Sequence, residues 1–473
     1  MNLFENSNNN KRYYSLDYYY KKKFNCKVSK LCIDAPFTCP NLDGKKGYGG
    51  CIYCTPFVNS MSIDKQIVLQ KDIINRKWPN SKYIVYLQSH SNTYGDIEKL
   101  KSIYEPLLKM ENVIGLSVGT RCDCIDSDCL DYLEDLSKRT FLTVELGLQT
   151  IHEKTSKLIN RCHSLDEFNY IVHELKKRNI NVVVHIINGL PFETKEMMIE
   201  TVRYLNKLKI DGIKIHMLFI DKNSAIKNLK FNYLSRDEYI NIVCDQLEEL
   251  NPDIVVHRLT GDGNRDSLIY PLWSLKKVCV LNDIDKEMAR RNTFQGFRKS
   301  IQNKVNQLII ENVKSNDLVI DATIGNGHDS AFILPLIPNG HLYGFDIQEN
   351  AIINTKKVLK QTNYTLFNVS HEYMLDTLKL ENKISLIIFN LGYLPNSDKK
   401  IKTNYNSTIK AIKDSLQLLN NKGIILITVY PGHKEGLEES IKINEFLKDI
   451  EHSIYRNTDN PDAPYLIEIK KCI

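Results

Sequence analysis

Short apolar runs alternate with amphipathic stretches along the chain, and this alternation occurs in two separate blocks. In the first block, stretches with helical spacing separate runs that are rich in β-branched and aromatic residues. Strands that alternate with helices are typical of a parallel sheet whose active site lies at the carboxyl ends of the strands. The first block therefore predicts a partial (β/α)6 barrel with strands at residues 27–35, 83–89, 113–120, 142–150, 181–191 and 213–219.

The second block begins with a helical pattern at residues 299–314. The apolar runs that follow predict a second α/β domain, with strands that start near residues 318, 341, 365, 385 and 423. The pattern changes near residues 292–297, and no Gly/Ser-rich or Pro-rich linker marks the change. We therefore predict two domains, residues 1–295 and residues 296–473.

Composition adds limits on where the protein acts. With 42% hydrophobic and 25% charged residues, the 473-residue chain has the balance of a soluble globular protein. It has no apolar run of membrane-spanning length, and its polar N-terminal stretch lacks the apolar core of a signal peptide. We therefore expect a cytoplasmic protein with no membrane partner, in which the twelve cysteines are not disulfide-bonded. The sequence indicates no oligomeric state.

A tyrosine- and lysine-rich segment lies at residues 11–24, KRYYSLDYYYKKKF. Positive charge neutralises phosphates and tyrosine rings stack on bases, so the segment, with Lys21–Lys23, fits an RNA-facing arm. A tyrosine-rich strand or helix packed on the first domain explains the same residues. The net charge of +6 permits an RNA partner without requiring one.

Three cysteines follow the first predicted strand, in the stretch CPNLDGKKGYGGCIYC. Four cysteines would close a structural zinc site, whereas three protein ligands leave one metal position open. A [4Fe–4S] cluster held by Cys39, Cys51 and Cys54 would leave one iron free to bind S-adenosylmethionine (SAM) and to supply the electron that cleaves it. A zinc site completed by Cys32 or by a histidine is the alternative.

The first strand of the second block ends in a glycine turn, residues 318–330. Gly325 and Gly327 allow backbone amides to approach a ligand, and Asp346 ends the next strand, where a carboxylate can bind ribose hydroxyls. The third glycine of a dinucleotide fingerprint is replaced by Ser330, which argues against NAD and permits SAM. The fourth strand ends in FNLGYLP, which resembles a methyltransferase motif in which Asn and an aromatic residue hold a nucleophilic nitrogen. Alternatively, Asn390 caps the following turn.

The cysteine loop and six further segments of the first domain together resemble the radical SAM family that contains YhcC and YtqA. The segments are residues 33–54, 86–94, 119–124, 144–164, 184–194, 214–219 and 257–263. The resemblance implies a radical SAM barrel in which Cys39, Cys51 and Cys54 bind the [4Fe–4S] cluster. It also implies SAM contacts from Gln88, Ser89, Glu145, Asn188 and Gly189. Glu145 could have either of two roles. It could accept hydrogen bonds from both ribose hydroxyls, or it could be a carboxylate that caps a helix or forms an ion pair.

A second group of cysteines, Cys122, Cys124 and Cys129, raises the question of a second cluster. Among these three positions, the resemblance implies a cysteine shared with the family only at or near Cys124. Because Cys129 begins a helical pattern, we expect it to pack as a small apolar side chain.

The second domain resembles the YtqB/MnmM family of tRNA methyltransferases. The matching segments are residues 321–329, 344–348, 368–372, 389–405, 429–436 and 460–471. The resemblance implies a Rossmann-like class I methyltransferase that binds a second SAM through Asp321, Asn326, Gly327, Asp329, Asp346, Gln348, Ser370 and His371. It implies catalytic roles for Asn390, Tyr393 and His433, with Gly392, Lys400, Thr403 and Tyr430 also on the acceptor side.

The two families act in one pathway, and this implies a bifunctional enzyme. YtqA-type (MnmL) proteins are implicated in converting 5-carboxymethylaminomethyl-uridine at the tRNA wobble position to 5-aminomethyl-uridine, which MnmM methylates to 5-methylaminomethyl-(2-thio)uridine. The expected partners are the tRNA anticodon loop and an unidentified electron donor. The alternatives are action on rRNA or another nucleoside, and a cluster-bearing RNA-binding protein without radical chemistry.

Overall fold

The computed structural model describes residues 4, 6–7, 9–55, 60–261, 263–380, 383–391, 405–457 and 460–471. The chain divides into two compact units, Met1–Phe297 and Arg298–Ile473. In the described part of the chain, no helix combines the length and the apolar character needed to cross a membrane.

The first unit is a half-barrel of seven parallel strands. The strands that form it, in their order across the sheet, are β1 (Val28–Ile33), β2 (Lys82–Leu87), β3 (Val113–Thr120), β4 (Phe141–Gln149), β5 (Asn181–Asn188), β6 (Gly212–Met217) and β8 (Val255–Arg258). Two short strands, β7 (Ile220–Asp221) and β9 (Leu268–Tyr270), form a separate antiparallel pair. The predicted half-barrel is confirmed, with β8 as an additional strand. Sequence analysis missed β8 because a four-residue strand at the sheet edge carries only two apolar residues.

The helices of the first unit flank the strands of the half-barrel. They are α1 (Leu16–Phe24), α2 (Ile63–Lys77), α3 (Ile97–Leu108), α4 (Ser127–Arg139), α5 (Glu153–Leu158), α6 (Leu165–Lys177), α7 (Lys195–Leu205), α8 (Arg236–Glu249) and α9 (Lys277–Arg290). The Ser164–Glu167 and Ser235–Glu238 capping boxes fix the starts of α6 and α8.

Side chains alternate between the two faces of each strand. In β3 and β4, the apolar set that includes Leu116 and Val144 packs in the core beneath the helices. The intervening residues, such as Ser117 and Glu145, therefore face the lumen, and these lumen residues are mostly polar.

The tyrosine- and lysine-rich segment forms helix α1, packed on the half-barrel. Tyr20 is 4% exposed and lies against Phe24 and Phe141, with ring centroids 5.9 Å and 6.3 Å away. The packed-helix alternative therefore describes Tyr20, because its burial prevents contact with bases, whereas Tyr14, Tyr18 and Tyr19 are partly exposed. Lys21–Lys23 remain on the exposed side of the helix.

The second unit is a seven-stranded sheet with the predicted Rossmann-like arrangement, and its last two strands along the chain were not predicted. Its strands, in their order across the sheet, are β12 (Tyr364–Phe367), β11 (His341–Phe345), β10 (Leu318–Asp321), β13 (Ile384–Asn390), β14 (Leu419–Val429), β16 (Tyr465–Lys470) and β15 (His452–Arg456). The first five are parallel, and β16 pairs antiparallel with β14 and β15. Its helices are α10 (Ile301–Asn312), α11 (His328–Ile333), α12 (Glu349–Val358), α13 (Met374–Leu378), α14 (Tyr405–Leu418) and α15 (Lys434–Phe446).

Apolar clusters cover both faces of this second sheet. Ile387 and Phe389 of β13 belong to one cluster, whereas Leu386 and Ile388 belong to the other. Burial on both faces explains why β13 reads as a continuous apolar run, as is typical of a parallel strand.

Candidate active sites

The three-cysteine loop follows β1 at the carboxyl edge of the half-barrel. Asn41, which is fully buried, fixes the loop: its Nδ2 donates to the carbonyl of Asn160 at 2.6 Å and lies 3.6 Å from Cys51 Sγ. Gly49 and Gly50 have φ angles of +74° and +76°, which side-chain-bearing residues rarely adopt. The loop thus depends on glycine to turn back between Cys39 and Cys51.

The three thiols lie close enough to affect one another. Burial raises the pKa of Cys51, and burial together with Cys51 and Cys39 raises the pKa of Cys54 to about 12. Cys54 nevertheless remains exposed to solvent. This combination of proximity and access fits a bound cluster that must also be reached by SAM.

A zinc site fits these residues less well. Within the described ranges, no three His, Cys, Asp or Glu side chains converge on a single metal ion. In a [4Fe–4S] cluster each cysteine binds a different iron, so the ligands need not converge on one point. Cys32 does not join the loop, because its thiol lies in the lumen, where Lys30, Lys214 and Glu145 influence its pKa. Cys39, Cys51 and Cys54 therefore fit a [4Fe–4S] cluster.

Arg121, after β3, is a residue of this site that sequence analysis did not select. Its Nε and Nη2 donate to the two carboxylate oxygens of Asp123 at 2.9 Å and 2.8 Å. Its positive charge opposes the effect of burial on the pKa values of Cys51 and Cys54. A buried guanidinium beside three ligands would stabilise the negative charge of a thiolate-bound cluster. The sequence signal that could have identified Arg121 was its position directly after a predicted strand, in the segment GTRCDC.

Two of the three cysteines in the second group are core residues, whereas the thiol of Cys124 lies outside the apolar core and is influenced by Cys39. Cys122 and Cys129 lie in the apolar core, and burial raises the pKa of each thiol to about 12. The packing interpretation predicted for Cys129 therefore extends to Cys122.

Four of the predicted SAM contacts lie where strands β2 and β5 end. Gln88 and Ser89 follow β2, and their side chains donate to Asp34, which sequence analysis did not select. Gly189, which follows β5, has a φ of +85°. Asn188 is engaged elsewhere, because it exchanges two hydrogen bonds of 2.8 Å and 2.9 Å with Gln246.

Glu145 is held by protein donors, and this arrangement does not fit the predicted ribose contact. Its Oε1 accepts from Lys30 Nζ at 2.6 Å and Ser117 Oγ at 2.5 Å. Its Oε2 accepts from His185 Nε2 at 2.7 Å and from Lys214 Nζ. A carboxylate has about four acceptor positions, so no position remains for both ribose hydroxyls. The ion-paired alternative describes Glu145.

The electrostatics of Glu145 follow from these contacts. Burial alone would raise the pKa of Glu145, but Lys214, Lys30 and His185 hold it well below its usual range. We define the lumen cluster as Lys30, Tyr86, Ser117, Glu145, His185 and Lys214.

In the second unit, the glycine turn after β10 prepares an anchor for ribose. Gly325 N and Gln348 N donate to the two carboxylate oxygens of Asp346 at 3.0 Å and 2.9 Å. Gly327 has a φ of +76°, and a Cβ there would lie 2.8 Å from Thr355 Oγ1. Asp346 is thus oriented by the backbone at the carboxyl end of β11, where class I sites bind ribose.

Two further predicted carboxylates are buried near this turn. Burial and the neighbouring Asp329 raise the pKa of Asp321 to about 7, and Ser330 Oγ donates to Asp321 at 2.7 Å. Burial also raises the pKa of Asp329 and of Asp346. Carboxylates destabilised by burial favour a bound cation, and the sulfonium and ammonium groups of SAM are cations.

Asp329 links a missed residue to the predicted acceptor residue. Gln302 Nε2, on α10, donates to Asp329 Oδ1 at 2.8 Å, and Asn390 Nδ2 donates to Asp329 Oδ2 at 3.3 Å. Because the side-chain nitrogen of Asn390 points to Asp329, the side-chain oxygen of Asn390 points away from Asp329 and is not used in this contact. No motif marks Gln302, because it lies on a helix that precedes the glycine turn.

The other predicted residues of the second unit have mixed positions. His371 is buried, its pKa is lowered by burial, and its Nε2 has no hydrogen-bond partner among the described residues. Asn326 Oδ1 accepts a hydrogen bond from Asn354, and Ser370 caps a short 3-10 turn. His433 Nδ1 caps α15, because it accepts a hydrogen bond of 3.0 Å from Gly436 N. Tyr430 is partly exposed. Gly392, Tyr393, Lys400 and Thr403 lie outside the described residues.

Comparison with family models assigns each part of the chain. Residues 48–205 match the Radical SAM superfamily, and residues 210–290 match the Radical SAM C-terminal domain. Residues 342–461 match the rRNA methylase family. The chain therefore contains a radical SAM domain, which implies a [4Fe–4S] cluster and SAM, and a methyltransferase domain, which implies SAM.

Three curated relatives agree with this division. YtqA of Bacillus subtilis is 43% identical over 307 residues, which cover 62% of this chain and 95% of YtqA. YhcC of Escherichia coli is 30% identical over 276 residues, which cover 56% of this chain and 88% of YhcC. The chloroplastic tRNA (mnm(5)s(2)U34)-methyltransferase of Arabidopsis thaliana is 34% identical over 147 residues, which cover 28% of this chain and 54% of that protein. The chain therefore belongs to the YhcC/YtqA type of radical SAM enzymes, and in it this domain is fused to a methyltransferase domain.

Proposed function

We propose that this enzyme modifies the wobble uridine of tRNA in two successive steps. The first converts 5-carboxymethylaminomethyl-uridine to 5-aminomethyl-uridine, and the second methylates the freed amine to 5-methylaminomethyl-(2-thio)uridine. The observation that carries the proposal is the presence, in one chain, of a YtqA-like domain and a domain similar to a tRNA (mnm(5)s(2)U34)-methyltransferase.

In the first step, Cys39, Cys51 and Cys54 would hold the cluster, with Arg121 beside them. When bound, the cluster and SAM would supply the abstraction of a hydrogen atom from the carbon next to the substituent nitrogen. The first step also requires an electron donor. The lumen residues would surround the carboxymethylaminomethyl group of the base and exclude bulk water from it.

In the second step, SAM would lie on the glycine turn, with its ribose on Asp346. The amine must be neutral to attack the methyl group, because an ammonium has no lone pair. The carbonyl oxygen of Asn390 can accept a hydrogen bond from the amine without holding it as a cation, as a free carboxylate would. Asp329 and Gln302 would keep the Asn390 amide in that orientation.

The test is reconstitution with tRNA that carries 5-carboxymethylaminomethyl-uridine, followed by mass spectrometry of the nucleosides. We expect 5-aminomethyl-uridine when cluster, reductant and SAM are present, and the methylated nucleoside when both units are intact. The match to the rRNA methylase family gives rRNA as the second candidate substrate. Methylation of rRNA, with both tRNA forms left unchanged, would reject the proposal.

Substitution of Asp346 by alanine is expected to weaken SAM binding in the second unit. A hydrogen bond to a charged group contributes about 1.5–3 kcal/mol, which corresponds to about 10- to 100-fold in Kd. Calorimetric titration of the cluster-free protein with S-adenosylhomocysteine measures the change. Asp376→Ala, on α13, is a control outside this site. Equal affinities of Asp346→Ala and the unchanged protein would contradict the ribose role.

Gln302→Leu is expected to slow methyl transfer without loss of SAM affinity, because Gln302 contacts Asp329 and not the predicted ribose anchor. Loss of one hydrogen bond to a charged group predicts a decrease in kcat of about tenfold or more. Single-turnover methylation of aminomethyl-uridine tRNA measures the rate. Gln307→Leu changes an exposed residue of the same helix and serves as the control. An unchanged rate for Gln302→Leu would show that Asn390 needs no such support.

A further inference from the structure

The lumen cluster contains more positive than negative charge. Lys30 and Lys214 both contact Glu145, and both ammonium groups also lie over the Tyr86 ring, 4.8 Å and 4.0 Å from its centroid. The side chain of Glu145 is fully buried, and that of Lys214 is 6% exposed. Two lysines with one carboxylate leave one positive charge without a counter-charge inside the cluster.

The groups around the cluster do not remove this charge. Burial and Lys214 lower the pKa of His185 to about 4, and burial lowers the pKa values of His216 and His257 well below their usual range. These three histidines are therefore neutral at pH 7. Burial, with the positive charges of Lys30 and Arg258, lowers the pKa of Lys214 to about 8, so Lys214 is mostly protonated at pH 7.

Two buried nitrogen atoms in the same region also lack partners. His216 Nε2 and His257 Nδ1 form no hydrogen bond to any described residue. The two rings neighbour the cluster, since Lys214 affects the pKa of both. A buried excess cation is costly unless an anion accompanies it, and buried polar atoms normally have partners. The excess positive charge favours an anionic ligand, and each histidine can donate to that ligand from the tautomer that carries the proton on the unpartnered nitrogen.

We propose that the lumen cluster binds a carboxylate, namely the one at the end of the carboxymethyl arm of the substrate base. This inference rests on the proposed first step. The product of that step has lost the carboxylate and carries an amine, which is a cation when protonated. The same positive potential that binds the substrate therefore repels the product. The cluster would select the substrate arm and favour release of the product.

Direct binding to two tRNAs tests this inference in the full-length, cluster-reconstituted protein. One tRNA carries 5-carboxymethylaminomethyl-uridine, and the other carries 5-aminomethyl-uridine. We expect the unchanged protein to bind the first more tightly, and Lys214→Met to reduce that preference about tenfold or more. Lys207→Met removes an exposed lysine of the same unit and should leave the preference intact.

The variant Glu145→Gln is expected to change the tRNA preference in the opposite direction to Lys214→Met. It removes the carboxylate that both lysines contact, so the substrate carboxylate becomes their counter-charge. The carboxymethylated tRNA should therefore bind more tightly than to the unchanged protein, at a pH low enough to keep Lys214 protonated. Because Glu145→Gln keeps the shape of the side chain, it also serves if Lys214→Met does not fold, as judged by circular dichroism.

The outcomes separate the possible explanations. The same preference in Lys214→Met and Glu145→Gln as in the unchanged protein would overturn the inference. A loss of SAM affinity in Lys214→Met, with the tRNA preference unchanged, would assign the cluster to the carboxylate of SAM and would also overturn it. If the unchanged protein converts the carboxymethylated tRNA and shows no preference, the inference alone fails. If it forms no aminomethyl product, the proposed function fails.

Discussion

Replacement of Cys39, Cys51 or Cys54 by alanine is expected to abolish cluster assembly and the first reaction. Anaerobic reconstitution of the unchanged protein should give about four irons per chain and a brown chromophore, and each variant should lose both. The loss should be complete because two remaining thiolates cannot hold a cluster that already has one iron without a protein ligand. Iron analysis and the visible absorption spectrum measure the outcome.

Cys122→Ala and Cys129→Ala are matched controls for the same chemical change. Both thiols lie in the apolar core, so their removal should lower stability slightly and leave the iron content intact. Tight binding of one zinc per chain, without iron uptake by the unchanged protein, would contradict the cluster assignment. Loss of iron in Cys122→Ala would instead bring the second group of cysteines back into consideration.

The fold could be predicted from the sequence because strand and helix patterns alternate in both blocks. A parallel strand covered by helices on one face keeps a clear apolar pattern, and this identified β1 to β6. Strand β8 was missed because its pairing with β6, and not its own four residues, defines it. Helix α1 could not be separated from an RNA-facing arm, since burial of Tyr20 depends on Phe141, which is distant in sequence.

The candidate sites were predictable where one short segment contains the chemistry. The cysteine loop and the glycine turn are such segments, and the structure places both after the first strand of their sheet. The environment of Glu145 could not be predicted, because Lys30 lies 115 residues away and reaches it across the lumen. The contact between Gln302 and Asp329 spans 27 residues and follows from packing of α10, which no motif describes.

A mixture of two variants, each deficient in a different step, is expected to restore the complete reaction. Cys51→Ala should lack the first step and keep the second, whereas Asp346→Ala should keep the first step and lose most of the second. Each candidate site is built from residues of one unit, so each variant retains one site with all its described residues.

The expected result depends on release of the intermediate tRNA. If the positive lumen cluster disfavours the aminomethyl product, that product leaves the first site and can bind the second site of another molecule. Equal amounts of Cys51→Ala and Asp346→Ala should then convert carboxymethylated tRNA to the methylated nucleoside, which neither variant forms efficiently alone. Mass spectrometry of the wobble nucleoside over time measures the conversion. A mixture that stops at aminomethyl-uridine, although Cys51→Ala methylates added aminomethyl-uridine tRNA, would show instead that the intermediate passes between sites within one molecule.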